Sequence, residues 1–483
     1  MPVALRRFPL RLVFAAVLLA WAVSATYQIA KSPPPGVSTA GPPRAASDVR
    51  FLADWTYLDT LGVRRSEQTI FDEVFALIAQ AERLVVLDMF LFNAYTGRAG
   101  PGLRPLSAEL TEALIRRKRE VPGLRAIVIT DPVNTVYGGL AAPHLAALEA
   151  AGIDVVTTDL RRLRASNPLW SGLWHLCCAR LGNDPDGGWL PNPFGAGKVS
   201  LRSYLALLNF RANHRKTIVA DAGEGWAALV TSANPHDGSS AHGNVALRFG
   251  GAAALDLLQS ERPLIEDAGL SLALPAAPSA PAVAEAPGGL RVQVLTERRI
   301  RDALLERVQT AAAGDRIDVA VFYLSHRPLL RALLAAQRRG VALRVLLDPN
   351  RDAFGREKNG IPNRPAAAEL HAAGLPVRWC DTHGEQCHAK LLLYVGAAGE
   401  AELILGSANY TRRNLDGFNL ETNVRLLGSA ADPALAEAAA YFEDSWTNAG
   451  GRRISLPYEA YADESAWSAW RYRFGEASGL STY

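Results

Sequence analysis

The sequence predicts an α/β protein of two pseudo-symmetric halves, each a mixed, mostly parallel sheet flanked by helices. Three observations carry this. Apolar runs of strand length alternate with segments of helical spacing. The same order of segments occurs twice, which points to an internal duplication. A proline- and alanine-rich stretch, residues 274–289, has linker composition and separates the two occurrences.

Residues 1–31 come first. They carry Arg6, Arg7, Arg11 and Lys31 without an acid, and residues 12–25 (LVFAAVLLAWAVSA) are uncharged. A basic flank before such a run marks a secretory signal or a membrane anchor, with Val23-Ser24-Ala25 offering small residues at a cleavage position. A spanning helix needs about 20 apolar residues, which this run approaches only by including Tyr27, Gln28 and Ile29. Residues 32–47 are proline-rich and read as an extended tether. The working part then begins near Asp48 and is expected outside the cytoplasm, periplasmic or secreted, with the apolar segment as its membrane attachment if retained.

In the first half (48–273) the spacing predicts a helix over 67–81, a strand over 84–92 and a helix over 107–117. A strand ending at Pro132, a helix over 145–151 and a strand over 153–156 follow. The second half (290–455) repeats this with a helix over 298–313, a strand over 317–324 and a helix over 329–339. Its next strand ends at Asn350, before a helix over 366–373 and a strand over 375–379. LRAIVITDP in the first half pairs with LRVLLDP in the second, and AGIDVV with AGLPVR. Residues 167–200 have no counterpart and hold Trp170, Leu173, Trp174, Trp189, Leu190 and Phe194. They form either a membrane-touching lip or a cap with its own small core. The aromatic tail, 456–483, is expected to pack against the body.

Composition narrows the function. At 49% hydrophobic and 20% charged the chain is globular rather than disordered. The net charge of +3 divides into +4 over residues 1–31 and −1 over the remainder, so the body lacks the field of a nucleic-acid binder. Four cysteines exclude a disulfide-dense scaffold. Cys380 and Cys387 flank a short loop and can pair in an oxidising compartment, whereas the adjacent Cys177 and Cys178 are not expected to bond to each other. A zinc site from Cys380, His383, Cys387 and His388 is an alternative use of the same residues, at the expense of a candidate catalytic histidine.

Both halves then deliver the same polar signature. The first reads His214-Arg215-Lys216, continues to Asp221, and is followed by an apolar strand and Thr231-Ser232-Ala233-Asn234. The second reads His388-Ala389-Lys390, continues to Val395, and is followed by a strand and Gly406-Ser407-Ala408-Asn409. Residues i and i+2 of a strand share a face, so each histidine projects with its lysine. One H-x-K means little; two, each trailed by S-A-N at equivalent places in a duplicated fold, are specific.

These residues resemble the phospholipase D superfamily, whose mark is two H-x-K-x4-D motifs, each trailed by a glycine/serine-x-asparagine segment. The similarity spans about residues 48–450. It implies two phospholipase D-like halves with one active site at their interface, both histidines meeting there, and neither metal nor cofactor. The first motif is complete through Asp221 but has Thr231 where glycine is favoured. The second has Gly406 but Val395 in place of the aspartate, which the family is thought to use for local support. The family also has an acid downstream of the asparagine that orients a histidine. Glu421 fits that place and is expected to fix His388, whereas the first half offers only His242, Asn244 and, as a stand-in, Asp237.

A phosphodiester repels anionic nucleophiles and is displaced roughly in line. A neutral imidazole attacks without repulsion, and a protonated one opposite can deliver a proton to the departing alkoxide. Lys216 and Lys390 would neutralise the non-bridging oxygens, with Asn234, Asn409, Ser232 and Ser407 as donors. Analogy with the family makes His214 the nucleophile of a phosphohistidine intermediate. The expected activity is metal-independent hydrolysis of a phospholipid at a membrane surface. The alternatives are phosphatidyl transfer of the cardiolipin synthase type and a nuclease of the same superfamily. A non-catalytic binding protein is disfavoured by two intact His-Lys pairs, and a nucleic acid partner by the charge of the body.

Overall fold

The computed structural model describes residues 10–96, 102–273, 289–353, 356–481 and 483. Its first large sheet contains β1 (Ser47–Leu58), β2 (Leu84–Met89), β3 (Arg125–Thr130), β4 (Asp154–Thr157), β5 (Lys216–Ala222), β6 (Gly225–Thr231) and β7 (Asn244–Gly250). The second contains β8 (Arg291–Thr296), β9 (Arg316–Val321), β10 (Ala342–Leu347), β11 (Val377–Cys380), β12 (Lys390–Val395), β13 (Glu400–Gly406) and β14 (Thr422–Ser429). Their spatial orders, β1-β7-β6-β5-β2-β3-β4 and β8-β14-β13-β12-β9-β10-β11, correspond strand for strand. Short strands extend the edges: Arg64–Glu67 on the first sheet, Arg44–Ala45 and Ser455–Pro457 on the second.

The sheets are mixed, but mostly antiparallel rather than mostly parallel. Only β2, β3 and β4, and their counterparts β9, β10 and β11, run parallel. The other core neighbours, including β5 beside β2 and β12 beside β9, are antiparallel. The cause is local: only Gly223 and Glu224 separate β5 from β6, too little for a crossover, so the chain turns back as a hairpin. The helices expected from spacing are present, among them Ile70–Gln80, Leu106–Glu120, Arg298–Thr310 and Arg327–Arg338.

Alternation along the strands sorts the core. Leu84 and Val86 face a central layer between the sheets, shared with Val219, Val230 and Leu247 of the first half and Leu391, Leu405 and Val424 of the second. Val85 and Leu87 face outward to helices of the first half; Ile317 and Val319 do so in the second. The halves are therefore joined by a continuous apolar core. Arg215, fully buried between His214 and Lys216, adds an ionic tie. It donates to Glu261 Oε2 (3.0 Å), Glu297 Oε1 (2.9 Å), and the carbonyls of Ser260 (2.9 Å) and Val37 (3.0 Å). The proline-rich stretch is thus laid against the body, with Arg44–Ala45 pairing onto β8. Of the 274–289 linker, all but Gly289 lies outside the described residues.

The helix Leu10–Ala30 is long and apolar enough to be a signal or an anchor. Its end packs against the insertion helix Pro168–Cys177: Trp21 Nε1 donates to Leu169 O and Ser24 Oγ to Gly172 O, both at 2.9 Å. Gly172 is required there, since a Cβ on it would meet Ala25 N at 2.8 Å. The insertion divides between the two expectations: Trp174 is buried, while Leu169, Leu173, Leu176 and Trp189 are exposed. In the tail Tyr472 is buried but Trp467, Trp470 and Phe474 are exposed. Cys380 and Cys387 form a disulfide, which leaves no thiolate there for a metal. Against expectation, so do Cys177 and Cys178, where the helix ends and the chain departs at Cys178 with φ −134°.

Candidate active site

The backbone at each histidine is stitched to the opposite half. His214 N–H donates to Leu420 O (2.8 Å) and Leu420 N–H to Ala212 O (3.0 Å); by the same pattern His388 N–H donates to Gly243 O (2.7 Å) and Gly243 N–H to Gln386 O (3.0 Å). These crossed bridges set residue 421 beside His214 and residue 244 beside His388. His214 Nδ1 lies 3.0 Å from Glu421 Oε2, and His388 Nδ1 lies 3.1 Å from Asn244 Oδ1. Each acceptor fixes the hydrogen of a neutral ring on Nδ1 and leaves Nε2 as the base.

Glu421 therefore holds His214, not His388 as the sequence suggested, because the bridges cross between halves. Its counterpart is Asn244, not Asp237, which instead accepts from Ser107 N (2.9 Å) and Oγ (2.7 Å). Ser232 and Ser407 are corrected likewise. Their hydroxyls turn inward onto Asn244 Oδ1 (3.1 Å) and Glu421 Oε2 (2.5 Å), and neither serine lines the cavity. They position the acceptors rather than facing a substrate. Gly406 has no room for a Cβ, which would meet Thr422 O at 2.4 Å. In the first half Thr231 fits, its hydroxyl donating to Val245 O at 3.0 Å.

Both imidazoles, with Asn234 and Asn409, line one cavity of about 490 Å³. Lys216 and Lys390 lie fully buried behind them, each ammonium donating to its own histidine's carbonyl, at 2.7 and 2.6 Å. An ammonium has three donors, so each keeps two beyond that bond. Asn409 Oδ1 has no partner among the described residues. Asp221 is outside the site, at the far end of β5. It accepts from Leu84 N (2.8 Å), Arg83 N (3.0 Å) and Glu82 N (3.2 Å), bracing the entry to β2. Where Val395 replaces it, Asp315, in the turn just before β9, supplies a brace, accepting from Ala312 N (2.8 Å) and Ala397 N (3.1 Å).

Two further pairs were missed. Phe90 packs on His214 (4.7 Å between centroids) and Phe322 on His388 (5.0 Å), each at the end of the strand beside its motif. Lys216 and Lys390 lie over the same rings. Asp131 Oδ2 accepts from Asn213 N and Asp348 Oδ2 from Cys387 N, both at 2.8 Å, fixing the residue before each histidine. Their signal was the repeated DP of LRAIVITDP and LRVLLDP. Burial raises both carboxyls to about 7.

The electrostatics are those of buried basic groups that disfavour one another's charge. Burial lowers His214 to about 4 against the opposing pull of Glu421. Burial would raise Glu421, but His214 and Lys216 hold it below the usual range. Burial brings Lys216 down to about 7. His388 and Lys390 are pushed well down, first by burial, then His388 by Lys390 and His242 and Lys390 by Lys216.

Residues 304–446 match the family model of the phospholipase D-like domain of cardiolipin synthase. That part of the second half is similar to a phospholipase D-like domain. The match takes in His388, Lys390, Asn409 and Glu421. No curated protein matches the chain in sequence. Among solved structures, the phosphatidylserine synthase of Haemophilus influenzae Rd KW20 superposes with TM-score 0.53 at 10% identity, over 95% of this chain and 98% of that one, a shared fold. The polyphosphate kinase of Porphyromonas gingivalis gives 0.46 at 12% identity over 89% of this chain and 53% of its own, so the chain spans about half the length of that kinase. Nuc, a phospholipase D family member from Salmonella typhimurium, gives 0.26 at 22% identity over 34% of this chain and 97% of its own.

Proposed function

We propose that this phospholipase D-like protein is a phosphodiesterase that cleaves phospholipids through a phosphohistidine, with lysines rather than a metal neutralising the phosphate. The observation that carries the reading is that two separately oriented imidazoles, one from each half, share one cavity whose lining also includes the apolar side chains of Val133, Phe194, Leu207 and Phe210. His214, neutral and held by Glu421, attacks phosphorus through Nε2. The phosphorus–alkoxide bond breaks, and His388, as imidazolium, gives its Nε2 proton to the departing oxygen. Burial and neighbouring cations drive protons off His388, so the charge of the bound diester is what retains that proton. Neutral His388 then takes a proton from the attacking water, and the phosphorus–nitrogen bond breaks to restore His214. Asn234 and Asn409, which line the cavity, bind the non-bridging oxygens, and Lys216 and Lys390, protonated when the diester binds, supply positive charge from behind the histidines.

The near-neutral body, the apolar Leu10–Ala30 helix and the exposed leucines of the insertion favour a lipid over a nucleic acid. The helix and the two disulfides support an extracytoplasmic, membrane-attached site of action. A second reading, transfer to an alcohol in place of water, is favoured by the family match, whose model describes cardiolipin synthase. The test is incubation of the full chain with mixed phospholipids and with DNA, in the presence of a chelator. Released headgroup alcohol with phosphatidic acid supports hydrolysis, and exchanged headgroups support transfer. Nicked DNA with intact lipid overturns both.

A further inference from the structure

A second cavity, about 470 Å³, lies behind the wall of the first and shares Tyr137 and Arg211 with it. Its lining includes Arg161, Arg180, Arg202 and Arg211, the carboxylate Asp159, and Trp174. Asp159 is taken by Arg161 of its own turn, through bonds of 2.8 and 2.9 Å. Arg180, Arg202 and Arg211 have no carboxylate within ion-pair distance among the described residues. Arg202 stacks on Trp174 at 4.8 Å and donates to the carbonyls of Leu181 and Gly182. Arg211, 5% exposed, meets only neutral partners: Gln28 Oε1 (2.9 Å), Leu160 O (3.2 Å), Arg161 O (3.5 Å) and His175 Nε2 (3.1 Å). Its Nε has no partner among the described residues. The one carboxylate that attracts Arg211, Asp159, is already bound by Arg161, so the guanidinium groups outnumber it and an anion in this space would supply the missing counter-charge.

Burial and the cations of the cavity hold the neighbouring basic groups towards their neutral forms. Lys31 sits at the rim, Nζ on Arg161 O at 2.5 Å; burial and then Arg211 lower it to about 7. Burial, Arg211 and Lys31 lower His175 to about 4. Beside the cavity the apolar helix ends at Ala30, and Leu169, Leu173, Leu176 and Leu181 are exposed, so positive charge and apolar surface adjoin as at a membrane interface. Guanidinium forks match phosphate oxygens in pairs.

We infer that this second cavity holds the phosphate group of an anionic phospholipid that is bound beside the one being cleaved. The choice of a lipid as bearer of the phosphate rests on the proposed function; the phosphate chemistry does not. The test uses the full chain in neutral detergent with His214→Asn, to prevent turnover. It is titrated with short-chain phosphatidylglycerol, short-chain phosphatidylcholine and inorganic phosphate, with and without R180Q/R202Q. Two phosphatidylglycerol molecules per chain are expected, the second weakened roughly tenfold or more by R180Q/R202Q. R180Q/R202Q alone should turn over a small soluble diester at the parental rate, which also shows that it folds. A second site unaffected by R180Q/R202Q, or only one phosphatidylglycerol bound by the parent, overturns the inference. Inorganic phosphate displacing the second lipid with equal affinity overturns the lipid as its source. Failure of the parental chain to cleave any diester counts instead against the proposed function.

Discussion

Replacing Glu421 by Gln removes a charge while keeping the shape of the group that holds His214. In the fold this carboxylate is fully buried and accepts from His214 Nδ1 (3.0 Å), Ser407 Oγ (2.5 Å) and Asn414 Nδ2. Hydrogen bonds to a charged partner contribute ~1.5–3 kcal/mol, which corresponds to roughly 10- to 150-fold in kcat if the bond strengthens as His214 gains charge in attack. Glu421 is also the leading group that raises the His214 pKa against burial. Its neutralisation should therefore move the acidic limb of kcat/KM, where His214 becomes protonated and inactive, to a pH lower than its present value near 4. The assay is the initial rate on a chromogenic phosphodiester across pH, with circular dichroism confirming the fold. Unchanged kcat, or a limb that moves to higher pH, would refute the role given to Glu421.

Four other outcomes are expected. The free enzyme should lose kcat/KM as pH rises through about 7, because Lys216 sheds its proton there; kcat should hold to higher pH, since a bound phosphate anion favours the ammonium. Asp221→Ala should cost about 2 kcal/mol by urea unfolding with kcat unchanged. The Asp221 carboxyl is lowered, net of burial, by the N–H groups of Leu84 and Arg83, so that difference is present at neutral pH and shrinks as pH falls through the folded pKa. Arg215→Met should cost ~3–5 kcal/mol by the same measurement, because Glu261 and Glu297 would be left buried without their cation, keeping the bonds from Thr217 Oγ1 and Glu421 N. Gly172→Leu should push the Leu10–Ala30 helix off the insertion, read as faster proteolysis near Lys31 with soluble-diester turnover preserved.

The repeat, the helices and the two His-Lys pairs were legible because each leaves a local mark: a period, an apolar run, a rare residue in a doubled context. The direction of most strand pairings was not, although the two-residue gap between β5 and β6 already implied a hairpin. Glu421 was found as a residue but given to the wrong histidine, because sequence order cannot show that His214 bridges to Leu420 and His388 to Gly243. Ser232 and Ser407 were misread for a related reason: the motif gives their position but not that their hydroxyls turn back onto the strands following them. Asp131 and Asp348 stood in the repeated DP, unused, since their bonds to Asn213 and Cys387 join distant segments. The ionic tie at Arg215 was not legible, because its two carboxylate partners, Glu261 and Glu297, lie on separate elements that no spacing connects.

Mass spectrometry after an alkaline denaturing quench, which preserves a phosphorus–nitrogen bond, on His388→Asn fed a 4-nitrophenyl phosphodiester whose leaving group departs without an acid, tests the shared-phosphorus scheme most directly. Loss of the base that admits water should let the intermediate accumulate. A phosphoryl adduct on the peptide containing His214 is the expected result. An adduct on another residue, or none while the parent protein turns the same diester over, would contradict it.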